Sequence, residues 1–253
     1  MRDKKIILGM GLSALLLLVA AYFGANYLPK QKQLPPLLLM SSIPMAMGEG
    51  DPAMLLSGEA KPYHAFVKLS EDYDVQQIDD LAILKTSKTK IIMLAQPRAL
   101  SPEELVILDD WIAKGGRALF LADPALAVES KYPIGDKRRP VFTSLLSPLF
   151  KHWGLEMVVS MESGDVELDY QEYQILTQTA GYWTSIKGSS KNSICNIETE
   201  NWVAICKVGK GHAILLADAD LMGDEFLDDA ASMLGGNDNM ALIINLLKKL
   251  SAS

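Results

Sequence analysis

Between Ile6 and Leu28 the chain runs for 23 residues (IILGMGLSALLLLVAAYFGANYL) without a charged side chain. As a helix rising 1.5 Å per residue, that run spans roughly 30 Å or slightly more, the thickness of a bilayer's hydrocarbon core. Tyr22 and Tyr27 stand near its far end, where interfacial aromatics collect. Lys4 and Lys5 precede it, and the excess of positive charge on that side predicts a cytoplasmic N-terminus. Everything after Pro29 then crosses the membrane. A cleaved signal peptide is the alternative, with Val19–Ala21 as a small-residue cleavage site. Continuation of the apolar run beyond Ala21 favours the anchor. The first Cys after the run is Cys195, so no lipoprotein anchor follows it. The expected organisation is a transmembrane signal anchor over 1–28, a stiff polar linker over 29–36 (PKQKQLPP contributes its prolines) and one domain over 37–253.

Charge narrows the partners of that domain. Residues 1–28 hold three of the 24 basic residues and one of the 31 acidic ones, so the remainder carries a net charge of −9. Such a surface repels phosphate backbones, which argues against a nucleic-acid partner. With 49% hydrophobic and 22% charged residues the chain suits a globular protein with a sizeable core.

Periodicity assigns the domain to the α/β class. Leu37–Ser41 is a continuous apolar run with the form of a buried parallel strand. A long Gly-, Met- and Pro-rich loop, Ile43–Glu59, follows, then helix-compatible sequence over Tyr63–Glu71 and a strand over Tyr73–Ile78. The clearest stretch is Lys90–Pro124. KIIMLA reads as a buried strand. Ser101 is placed to cap a helix whose first turn holds Pro102, Glu103 and Glu104. Leu105, Leu108, Trp111 and Ile112 share one face of that helix. Gly115 and Gly116 end it, and RALFLADP is the next strand, completing a right-handed β-α-β unit. A helix over Thr143–Trp153 and a strand over Leu155–Val159 come next. Residues from about 160 to 208 lose the helical period and read as β-hairpins; Gly211–Ala217 is again a buried strand, and Asn239–Leu250 an amphipathic helix.

Cys195 and Cys206 are the only cysteines, in two alternating strands around a polar turn. A turn centred between Glu200 and Asn201 sets residue 195 directly opposite 206, close enough for a disulfide in an oxidising compartment. The alternative is two small buried hydrophobes facing one another. Their spacing fits neither a zinc site nor a redox CxxC motif.

Three blocks in order, IIMLAQPRALSPEELVILDDWIAKGGRALFLADP, KVGKGHAILLADADLM and GNDNMALIINLLKKL, resemble the extracytoplasmic domain of GldG-type proteins, auxiliary subunits of uncharacterised bacterial ABC transport systems. The resemblance covers about Leu37–Pro124 and Cys206–Leu250. It implies a mostly parallel, doubly wound sheet of the flavodoxin-like or class I glutamine-amidotransferase-like kind, here with a β-hairpin insertion and without amidotransferase chemistry. With the N-terminal anchor, it implies a protein of the bacterial inner membrane, its C-terminal domain periplasmic, working beside ABC permease and ATPase subunits. Larger relatives carry a second C-terminal span, and the single span expected here departs from them.

The residues bear on chemistry mostly by what they omit. GxSxG is absent, and the position after KIIMLA, where an elbow nucleophile would stand, is Gln96. His64, His152 and His212 are scattered without partners at metal or triad spacing. No catalytic residue, metal or cofactor is expected, and the chain reads as a non-enzyme. Asp218, Asp220, Gly223 and Asp229 follow the spacing of a calcium loop, but Met222 stands at a ligand position and a strand precedes it, so an acidic turn is favoured. Ligands of open α/β sheets bind beyond the carboxyl ends of the strands. That rim would carry Ser41, Ser42, Gln96, Arg98, Asp123, Asp218 and Asp220, either as a binding surface or as groups satisfying loop backbone. The basic tract Lys137–Arg139 reads as a solvated face. The expected function is a membrane-anchored auxiliary component acting by protein or ligand binding. A stand-alone small-molecule-binding or sensing domain is the alternative, and a hydrolase on an amidotransferase-like fold a weaker one.

Overall fold

The computed structural model describes residues 33–49, 52–57, 61–161, 164–188, 190–198, 201–227 and 236–252. The apolar run Ile6–Leu28 lies outside them; among the described residues no helix is long and apolar enough to cross a membrane. Contacts divide the chain into Met1–Leu34 and Pro35–Ser253, and the second unit is the α/β domain.

The eleven strands among the described residues are β1 (Pro36–Ser41), β2 (Asp74–Gln77), β3 (Ile91–Ala95), β4 (Arg117–Leu121), β5 (Leu155–Val158), β6 (Asp165–Tyr170), β7 (Tyr173–Gln178), β8 (Tyr182–Ser185), β9 (Ser193–Ile197), β10 (Val203–Val208) and β11 (Gly211–Leu216). The described helices are α1 (Pro52–Ser57), α2 (His64–Asp72), α3 (Pro102–Ala113), α4 (Ser147–His152), α5 (Asp224–Leu227) and α6 (Asn239–Ala252), with 3-10 turns at Leu81–Lys85 and Asp220–Met222. Seven strands form the main sheet in the order β2-β1-β3-β4-β11-β10-β9. The first five run parallel; β10 and β9 are added antiparallel. The order reverses between β1 and β3, which makes that crevice the topological switch point.

Alternation along the strands divides two cores. Leu37, Leu39, Met93, Leu119 and Leu216 face α2 and α6, while Leu38, Ile92, Leu94, Phe120 and Leu215 face α3, α4 and the Leu81–Lys85 turn. Both faces are covered, as parallel strands with unbroken apolar sequence require. Within α3 the sequence signals hold: Ser101 accepts from the Glu104 N–H, and the Glu104 carboxylate accepts from the Ser101 N–H, a complete capping box. Gly116 is needed for packing, since a Cβ there would lie 2.2 Å from the Trp111 ring.

Three local expectations shift. The helix expected over Thr143–Trp153 is only Ser147–His152, because Ser144 donates its N–H to the Asp123 carbonyl instead of entering a helix. The long loop after β1 contains α1. The region from 160 to 208 is not one insertion. The β6–β7 hairpin packs on the α6 face, β8 pairs with β5 on the other, and β9 and β10 extend the main sheet. An edge-to-face aromatic chain ties β5–β8 to the sheet: Phe120–Phe150 at 5.7 Å, Phe120–Trp153 at 5.7 Å and Phe150–Trp183 at 5.0 Å.

Cys195 and Cys206 face one another in the β9–β10 register and form a disulfide closing a loop of 11 residues. Replacing both by Ala should lower unfolding free energy by about 3 kcal/mol, from restored loop entropy in the unfolded chain. Urea titration of the oxidised protein against Cys195→Ala/Cys206→Ala checks this.

Candidate functional site

The carboxyl ends of β1, β3, β4 and β11 deliver Ser42, Gln96, Asp123 and Asp218 to one place, because these strands are parallel and adjacent. Gln96 stands immediately after β3 with φ 44°, a left-handed conformation that costs a non-glycine residue energy. Its amide has the compensation. Nε2 donates to the carbonyls of Asp123 (3.2 Å) and Val141 (3.0 Å), and Oε1 accepts from the Asp123 N–H at 2.9 Å. Ser42 Oγ donates to the Gln96 carbonyl at 2.6 Å and accepts from the Val141 N–H at 3.1 Å. Ser41 Oγ turns back onto Ile43. The switch-point crevice is therefore closed by the chain's own loop between β4 and α4.

The three aspartates are fully buried and bind backbone. Asp123 accepts from the N–H of Ala125 (2.7 Å) and Ala219 (3.0 Å). Asp220 accepts from Ala127 and Val128, each at 2.8 Å. Asp218 accepts from the Leu221 N–H at 3.0 Å and the Thr177 hydroxyl at 2.7 Å, which fastens the β6–β7 hairpin to the rim. Asn239 completes the clamp, exchanging hydrogen bonds with Leu176 and donating to the Leu221 carbonyl. Burial raises the Asp123 pKa to about 6. It raises Asp220 to about 8, with the Asp123 charge adding to it, and Asp218 well above the carboxylate range, with both neighbours adding.

Arg98 is the one rim residue turned to solvent, and it stands apart from this cluster. It pairs with Glu104 at 2.6 Å and donates to the Asp79 carbonyl. Hydrogen bonds from Arg98 hold the Glu104 carboxyl down at about 2.

Outside the plug lies an open cleft of about 740 Å³ between the loops after β1 and β4. Met54, Tyr63, Leu126 and Phe142 supply much of its apolar lining, and three acidic residues (Glu49, Glu129, Asp224) face three basic ones (Lys61, Lys131, Arg139). Glu49 is engaged by the Ser130 hydroxyl and the Lys131 N–H, both at 2.6 Å. In the basic tract, Arg138 pairs with Asp136 at 2.7 Å and stacks over Tyr132, and Arg139 donates to the Tyr132 carbonyl.

Residues 34–181, more than half of the chain, match the family described as ABC-type uncharacterized transport system. The chain belongs to that family. This auxiliary domain's match runs through the β5–β7 region, which the sequence blocks had left unassigned, and stops before the disulfide-bearing strands. No curated protein matches it. Among solved structures it is similar to an exo-β-1,4-mannosidase, Op5Man5, from Opitutaceae bacterium strain TAV5 (12% identity, TM-score 0.48, 85% of this chain and 36% of that one). It is also similar to the mmIFT52 N-terminal domain (12%, 0.46, 84% and 96%) and to a putative ThuA-like protein from Bacteroides uniformis (13%, 0.41, 85% and 92%). The chain thus spans about a third of the mannosidase. At TM-scores below 0.5 these likenesses carry nothing over to the chemistry of this transport-family domain.

What the arrangement does chemically follows from its saturation. Gln96 stands directly after β3, and its carboxamide is spent on backbone. The histidines do not converge there: His64 lies by Asp224, His152 by Asp109, and His212 at the start of β11. Among the described residues no three His, Cys, Asp or Glu side chains are arranged to hold a metal. The calcium-like spacing is instead a 3-10 turn whose Asp218 and Asp220 face backbone donors; Asp229 lies outside the described residues. Thr177 and Asn239 were not singled out from sequence. Only the Asn-rich run before α6 hinted at the second.

The buried carboxyls make stability depend on pH. Each has a folded pKa above its unfolded value near 3.9, so the protonated forms favour the fold. That contribution is complete below about pH 4 and is lost as pH rises through about 6 and then about 8. Asp218→Asn keeps an oxygen for the Leu221 N–H and offers an N–H to Thr177. It should stabilise by about 1 kcal/mol at pH 8 and flatten the decline. Thermal melts from pH 4 to pH 9 on both proteins check it.

Proposed function

We propose that this chain is a non-catalytic, membrane-tethered auxiliary subunit that binds another protein of its ABC-type transport system through the carboxyl-end loops of its periplasmic domain. The single observation carrying the non-catalytic part is Gln96. The strained turn where related chemistry would place a nucleophile holds a carboxamide whose donors and acceptor are all used internally. The neighbouring carboxylates are likewise consumed by the loops they hold.

Binding by the rim is supported by the side chains those loops leave outside. Met47, Leu56, Ile134 and Phe142 are each more than 60% exposed, on the loops after β1 and β4. The Phe142 carbonyl accepts from the Leu126 N–H at 2.8 Å, which ties that part of the apolar surface to the loop's own backbone, as a docking surface requires. Pro35 and the last turns of α6 lie at the amino ends of β1 and β2, away from the carboxyl-end rim. Pro35 accepts from the Asp74 N–H, and Lys248 near the end of α6 pairs with Asp72 at 3.5 Å. The charge-free run Ile6–Leu28 with Lys4 and Lys5 before it supports the tether, and a disulfide supports an oxidising compartment.

The open cleft favours a second reading, a stand-alone small-molecule-binding domain. Crosslinking of the tagged full-length chain in native membranes separates the two. With a photo-crosslinker at Ile134, recovery of an ABC permease subunit is expected, and Phe142→Asp should cut it about tenfold through loss of one apolar anchor. Background recovery alone, with the protein still in the membrane fraction, would sink the subunit reading.

A further inference from the structure

The two edges of the main sheet are unlike. β2 is short, carries Asp74 and is flanked by Asp72, Asp79 and Asp80, the usual protection of an open edge by charge. β9, Ser193–Ile197, is the other edge and contains no charged residue. Its free side can be read from the ladder. Cys195 and Cys206 are a closely spaced facing pair, with Cα atoms 4.0 Å apart, the narrow spacing of a non-hydrogen-bonded antiparallel pair. The bond from the Glu198 N–H to the Val203 carbonyl agrees, since it places even-numbered residues in the bonding phase toward β10. The backbone N–H and C=O of Cys195 and Ile197 therefore point away from β10, toward the open edge. The disulfide anchors this strand to the sheet at its midpoint, so an added strand would meet a preformed template. Ile194, 67% exposed, and Asn196 flank that template on one sheet face.

We propose that β9 pairs antiparallel with β9 of a second copy of this chain, joining two seven-stranded sheets across a two-fold axis. Charge selects this occupant. Lys191 stands just before the strand and Glu198 just after it, and neither forms an ion pair among the described residues. An antiparallel self-pairing centred near Cys195 brings the Lys191 end of each strand against the Glu198 end of its partner, twice by symmetry. A parallel arrangement would set like charges together. The dimer does not depend on which transport partner the rim binds.

The test uses the full-length chain in nanodiscs and in native membranes. A photo-crosslinker at Asn196 should yield a covalent dimer, and one at Val67, on α2, should not. Lys191→Glu and Glu198→Lys should each cut the Asn196 crosslink about tenfold through lost pairing and new repulsion, while the double exchange restores it. No dimer from Asn196, even if the membrane segment associates elsewhere, overturns the proposal. A crosslink to a different protein overturns it too, by naming another occupant of the edge. Single exchanges without effect, or a double exchange that fails to restore the crosslink, would overturn the charge-selected pairing.

Discussion

The structure depends on buried carboxylates and one carboxamide accepting and donating to loop backbone at the carboxyl ends of the parallel strands. A parallel sheet leaves its connecting loops to be satisfied at its two ends, and each unpaired buried amide there costs about 1–3 kcal/mol. Asp123, Asp218 and Asp220 provide acceptors where four loops converge, and Gln96 provides both kinds of group. Through Thr177 and Asn239 the same cluster fixes the β6–β7 hairpin and the start of α6. Removing this clamp would leave the sheet with folded strands and unanchored loops.

Three carboxyls in one buried cluster is also a cost. Desolvation and mutual repulsion press each toward protonation, while the N–H donors favour the charged form. The balance is tolerable because each carboxyl accepts from a segment of backbone that it holds in place. Here the Val141 backbone fills the crevice they surround, and the exposed surface passes to the apolar and mixed-charge loops outside it.

The antiparallel side of the molecule answers a different constraint. After β5 the chain returns toward the sheet, first covering both faces with short two-stranded pieces and then adding β9 and β10 at the edge. The aromatic chain from Phe120 to Trp183 and the disulfide hold this region, where strands are too short to be stable by pairing alone. The auxiliary family's pattern ends at residue 181, so the disulfide-bearing edge belongs to the part of the chain beyond it.

The sequence by itself determined the class of the domain and its best-formed unit. Unbroken apolar strands, the Ser101 cap and the double glycine are local signals, each acting within a few residues, and the structure keeps them. The facing of Cys195 and Cys206 followed from turn arithmetic for the same reason. Ser42, Gln96, Asp123, Asp218 and Asp220 were legible as rim residues because position after a strand is a local property. Whether they faced solvent or the interior was decided only by tertiary structure: the Val141 amide reaches Ser42 across 99 residues, and Ala127 reaches Asp220 across 93. Periodicity reports a side chain's phase along its own element. It does not report which distant loop will supply its hydrogen-bond partner, and at this rim that partner converts a potential binding site into an internal clamp.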